Sequence, residues 1–95
     1  MNKKALLLHT NDNCIVALTD IRSGEAIVYG TGEVVASANI ALGHKVAIAD
    51  IAKGAKVIKY GAVIGSATMA IARGDHIHTQ NLVSDYITHP SGRKE

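Results

Sequence analysis

The sequence predicts an all-β domain built from short strands joined by glycine corners, and three observations support this. The chain holds 14 Ala, 11 Ile, 8 Val and 6 Leu, with no Phe, no Trp and three Tyr. Its core must therefore be assembled from small and β-branched side chains, which suit a pleated sheet. The pattern Ile-x-x-Gly-x-x-(Ile/Val) occurs four times, starting at Ile21, Ile40, Ile51 and Ile71. The segments between these copies are short, rich in Val and Ile, and bounded by Gly, Asn or Asp.

Each copy reads as an apolar anchor, a tight turn whose Gly accepts φ > 0, and a β-branched residue opening the next strand. The copies are separated by 19, 11 and 20 residues. Such irregular spacing excludes a solenoid of one fixed period and predicts a compact fold that reuses one kind of corner. In chain order, strands are expected at residues 5–8, 14–18, 27–29, 34–37, 45–49, 57–60, 63–68 and 76–79. Asn11-Asp12-Asn13 supplies a turn between the first two. The competing element is helix at the Ala-rich stretches 47–55 and 67–72, because Ala is the best helix former. Glycines close on either side leave room there for one helical turn at most. The end of the chain, residues 88–95 with the only proline at Pro90, is expected to fray, so the domain is drawn at 1–87.

With 95 residues and a formal charge of +2, the chain is one small domain. A domain of this length buries only about 60–65% of its unfolded surface, giving one thin core that benefits from a partner. The positive residues are spread along the chain without interleaved aromatics, which argues against nucleic acid as a partner. Missing aromatics also argue against a large cofactor pocket. Cys14, the single cysteine, forms no internal disulfide. Four apolar residues after Met1-Asn2-Lys3-Lys4 are too few for a signal segment or a membrane span, and a cytoplasmic location is expected. The sequence has no phosphate loop, no paired cysteines and no nucleophile elbow. It reads as one component of an active site rather than a complete enzyme. Its unpaired strand edges offer a route to a homo-oligomer of unspecified symmetry.

Three clusters carry the candidate chemistry. In Asp75-His76-Ile77-His78-Thr79-Gln80-Asn81, histidines at i and i+2 of a strand share a face. That places two imidazoles within reach of one divalent metal, or leaves them as a solvated pair. Asp75 is a further ligand or an orienting partner of His76, although neighbours on a strand face opposite ways. In Gly43-His44-Lys45, a titratable imidazole and an ammonium stand on a corner with free backbone N–H groups, which suits a carboxylate or simply an exposed polar tip. In Ile58-Lys59-Tyr60-Gly61, Lys59 and Tyr60 face opposite sides, so that one meets a ligand or an interface while the other packs.

The run from Gly43-His44-Lys45 through Ile58-Lys59-Tyr60-Gly61 and Ile64-Gly65 to Asp75-His76-Ile77-His78 resembles the SAF domain of the altronate/galactarate dehydratase family. Asp12-Asn13 and Asp20-Ile21-Arg22-Ser23-Gly24 match its earlier pattern, and the likeness covers most of residues 5–87. The resemblance implies a β-clip fold related to the antifreeze-like domain of sialic acid synthases. It also implies a role beside a large catalytic domain or subunit that dehydrates a small anionic sugar acid, with a shared divalent metal, Fe²⁺ first and Mn²⁺ second. The chain is then a small subunit or an N-terminal domain.

In such chemistry, loss of the proton α to a carboxylate creates enediolate charge that cations stabilise while the β-substituent leaves. Carried over residue by residue, His44, Lys45 and Lys59 are expected as substrate contacts, and His76 and His78 as metal or leaving-group contacts. Some relatives have another histidine where this chain has Gln80, a departure expected to lower metal affinity or shift the substrate. Two alternatives stand beside the dehydratase: the small subunit of a sulfolactate sulfo-lyase, in which sulfite leaves instead of water, and a non-catalytic β-clip binding module.

Overall fold

A computed structural model of the protein describes residues 4–30, 32–78 and 80–84, and every regular element among them is a strand. In chain order these are β1 (Ala5–Leu6), β2 (Cys14–Ala17), β3 (Ala26–Tyr29), β4 (Gly32–Val35), β5 (Lys45–Ala47), β6 (Lys56–Lys59), β7 (Ala62–Ala67), β8 (His76–Ile77) and β9 (Leu82–Val83). The Ala-rich stretches form strand ends and corners, not helix. The frayed end expected at 88–95 lies outside the described residues.

Four of the eight expected strands (β1, β2, β5 and β8) are shorter than the sequence suggests, while the other four begin one or two residues earlier. After β1 the chain turns at His9, where the Asp12 N–H donates to the His9 carbonyl at 3.0 Å. The turn therefore begins ahead of Asn11-Asp12-Asn13. β4 starts earlier than expected because Gly32 pairs with Tyr29, and Ser37 leaves the ladder to bond the Gly74 carbonyl. β9 was not anticipated; at two residues it has no pattern of its own and exists by pairing with β7.

All pairings are antiparallel. A four-stranded sheet runs β1-β2-β5-β8, while β3-β4 and β6-β7-β9 form separate small sheets. Alternation along the four-stranded sheet sends side chains to two cores. Ala5, Ile15, Ala17 and Val46 join Ile21, Ile27, Val34 and Ile40 in one. Cys14, Ala47 and Ile77 join Ile51, Val57, Ala67 and Ile71 in the other. The β3-β4 hairpin thus closes one face and the β6-β7 hairpin the other.

The four corners are two copies of a two-corner unit. Ile21 bridges Ile40, and Ile51 bridges Ile71. Gly24 N–H donates to Ala36 O as Gly54 N–H does to Ala67 O, and Gly43 N–H donates to Ala17 O as Gly74 N–H does to Ala47 O. The offset is 30 residues from Ile21 to Ile51 and 31 from Ile40 to Ile71. A register shift between Val57 and Ile58 takes up the extra residue.

Buried Asp12 ties the ends together. Its carboxylate accepts from the Tyr60 N–H at 2.9 Å and the Gly61 N–H at 2.8 Å. This holds the β6-β7 turn with Tyr60 in the left-handed region, φ 61°.

Candidate metal centre

The site follows from the register of two strands. β5 and β8 pair Lys45 with Ile77 and Val46 with His76. Continuing that register by one residue sets His44 opposite His78, and opposed residues of an antiparallel pair share a face. His76 and His78, two apart, share that face as well. His44 is delivered by the second corner, where its N–H donates to Ala41 O at 2.9 Å and its carbonyl accepts from Ala17 N–H at 2.9 Å.

The three imidazoles converge. One ring nitrogen from each lies within 4.8 Å of the others, and His44 Nδ1 is 2.9 Å from His76 Nε2. The rings lie nearly parallel: His44 is 4.5 Å from His78 and 5.1 Å from His76 between centroids. His44 and His76 are half-buried and His78 is exposed. Burial, then the neighbouring His44 and His78, then Lys45, hold the pKa of His76 below its ordinary 6.5. Neutral imidazole is the form that ligates a metal. Three converging nitrogen donors with an exposed side fit a divalent ion of the kind imidazole favours, with positions left for ligands from outside the cluster.

The other candidates are placed differently. Lys45 follows His44 on the strand and points to the opposite face with Ile77. Lys45 and Lys59 both act on the Cys14 thiol, which burial first and Asp12 second nevertheless push up to about 11. Strand alternation sets Lys45 on the face opposite the imidazoles, yet its charge reaches both Cys14 and His76, while Lys59 acts on Cys14. Asp75 stays out of the cluster, since its carboxylate accepts from Ala72 N–H and the Ser37 hydroxyl. Tyr60 is 70% exposed at a hairpin tip, whereas Lys59 is half-buried. Gln80 reaches the His76 carbonyl at 3.3 Å.

The family model described as the altronate/galactarate dehydratase SAF domain matches residues 3–85. The chain belongs to this family. SAF domains have the β-clip fold, in keeping with the helix-free arrangement of small sheets here. This SAF domain is 46% identical to the altronate dehydratase of Escherichia coli (strain K12) over 74 residues, 78% of this chain and 15% of that protein. It is 39% identical to the altronate dehydratase of Bacillus subtilis (strain 168) over 80 residues, 83% of this chain and 16% of that protein. Over 43 residues it is 44% identical to the (2R)-sulfolactate sulfo-lyase subunit alpha of Chromohalobacter salexigens, 45% of this chain and 46% of that one. It thus spans less than a fifth of the altronate dehydratases that it matches.

The sequence pointed to His76 and His78 as a metal pair and read His44 as a substrate contact. The structure brings all three together. No local signal marked His44 as a third member, because its place opposite His78 is set by the long-range β5-β8 ladder. Asn81, which bonds both histidine-bearing residues of the 76–78 segment, carried no signal beyond its place in the cluster. Among the described residues no helix is long and apolar enough to cross a membrane.

Proposed function

We propose that this SAF domain is the metal-holding accessory part of a sugar-acid dehydratase of the altronate/galactarate type, either as a small subunit or as an N-terminal domain. The three-imidazole cluster formed by the β5-β8 register carries this reading, in a family whose relatives include altronate dehydratases. His44, His76 and His78 hold a divalent cation, Fe²⁺ first and Mn²⁺ second, and a large catalytic subunit or domain supplies the remaining ligands and the base. Such a cation supplies electrophilic stabilisation of the negative charge that develops on a hydroxy-acid carboxylate during β-elimination.

The chain's own contribution is positional. Partial burial and the neighbouring His44, His78 and Lys45 disfavour protonation of His76, which favours the form whose ring nitrogen can ligate a metal. The stacked rings give the cluster a fixed order and leave the His78 side open. Lys45 and Lys59 add positive field for an anionic sugar acid rather than a contact shared with the imidazoles.

The sulfo-lyase counterpart is favoured by one observation, the 44% identity over 43 residues to the (2R)-sulfolactate sulfo-lyase subunit alpha. Co-purification with a large dehydratase-type subunit, followed by assays on altronate, galactarate and sulfolactate, tests both readings. Water elimination from a sugar acid, reduced about tenfold or more in His44→Ala and in the His76→Ala/His78→Ala double variant, is expected. Sulfite release from sulfolactate alone would select the second reading. Unchanged turnover in the variants would remove the histidines from the reaction. A complex inactive on all three acids would leave a binding module.

A further inference from the structure

The turn that follows His78 is closed by a buried side chain. Asn81 is 6% exposed, and its polar groups are bonded within the chain. Its N–H donates to the His78 carbonyl at 3.0 Å, and its carbonyl accepts from the Thr68 N–H at 3.0 Å. Its Oδ1 accepts from the His78 N–H at 2.9 Å, while its Nδ2 donates to the His76 carbonyl at 2.7 Å. One carboxamide thus grips a backbone group of each histidine, along the edge of β8 that faces away from β5.

β8 needs such a grip. It is two residues long, and its pairing with β5 covers Ile77 and His76 only, so His78 stands past the last ladder pair. Two other turns of the same form are closed by a carboxylate. Glu25 accepts from Arg22 N–H and Asp75 from Ala72 N–H, each returning its own N–H to the same residue's carbonyl. An acceptor is sufficient in those turns. At position 81 the side chain also faces the His76 carbonyl, to which it donates at 2.7 Å beside the longer 3.3 Å bond from Gln80, and a carboxamide supplies both donor and acceptor.

We propose that Asn81 is a positioning residue of the imidazole cluster, its carboxamide fixing the His76 carbonyl and the His78 N–H so that both rings meet His44 in a geometry that holds a divalent cation. This rests on the metal reading above.

The experiment is a Co²⁺ titration of the full chain and its variants, followed by visible absorption and paired with thermal melts. Asn81→Ala weakens Co²⁺ binding about tenfold or more, as loss of a partner outside the ligand set does elsewhere. Asn81→Asp keeps the acceptor for the His78 N–H and sets a carboxylate oxygen against the His76 carbonyl in place of the donor. It also binds more weakly, although its charge attracts the ion. Glu25→Ala opens the equivalent turn away from the cluster; it lowers the melting temperature and leaves Co²⁺ affinity and spectrum unchanged. Wild-type affinity and spectrum in Asn81→Ala, or in Asn81→Asp where the alanine variant does not fold, would overturn the positioning role alone. A wild-type chain that takes up no Co²⁺ would overturn the metal reading with it.

Discussion

His76 sits where an imidazolium is disfavoured. Burial withholds water from it, and a proton there is repelled by His44, His78 and Lys45, so it titrates below the ordinary 6.5. The unfolded chain therefore takes up a proton that the folded chain refuses. Stability is full above pH 6.5 and is lost as pH falls from there through the lowered folded value. Thermal melts of the metal-free chain between pH 8 and 5 are expected to show this decline, with a shallower slope in His76→Gln. An identical slope in that variant would place the titrating group elsewhere. Burial acts with the opposite sign on Cys14. It raises the thiol to about 11, which keeps the sulfur protonated at neutral pH and makes Cys14 a packing residue of the second core rather than a soft ligand.

The corners are the elements that set register, and their glycines differ in what surrounds them. Gly43 and Gly74 occupy the same place in the two halves, with φ 86° and 96°. A Cβ on Gly43 would meet open space, whereas one on Gly74 would collide with the Val35 carbonyl. Gly43→Ala is expected to cost about 1–2 kcal/mol for the left-handed backbone alone. Gly74→Ala should cost about 3 kcal/mol or more, since a backbone clash is added. Urea denaturation of the two variants checks the difference; equal losses would mean that the Val35 segment yields freely. The corners and the strands beside them were legible in the sequence because φ > 0 at Gly and β-branched neighbours are local requirements. The pairing of corners was not legible, because the residue absorbed at Val57/Ile58 breaks equal spacing. Likewise, the i, i+2 pair of His76 and His78 could be read locally. The arrival of His44 depends on a ladder joining segments 32 residues apart, and the separation of Lys45 from the imidazoles depends on which face that ladder gives it.

At the scale of the molecule, the four-stranded sheet is the wall that both cores share. Ile15 and Val46 line one side, Ala47 and Ile77 the other, and neither core can be lost without exposing the back of the sheet that holds the second. The two halves are therefore expected to unfold together, although they repeat one another in form. Ile15→Val and Ile77→Val remove one methylene each from fully buried positions on opposite faces, and each is expected to cost about 0.5–1.5 kcal/mol. Both should lower the midpoint of a single denaturation transition, seen alike by far-ultraviolet circular dichroism and by hydrogen exchange in either core. Two separate transitions, each sensitive to one variant, would show that the halves are independent. The imidazole cluster joins β5 to β8 within that shared sheet, so a divalent ion held there, as proposed, would stabilise the whole cooperative unit. At a free ion concentration about a hundredfold above Kd the gain is about 2.7 kcal/mol. It should raise the same single midpoint in both core variants and vanish in His78→Ala.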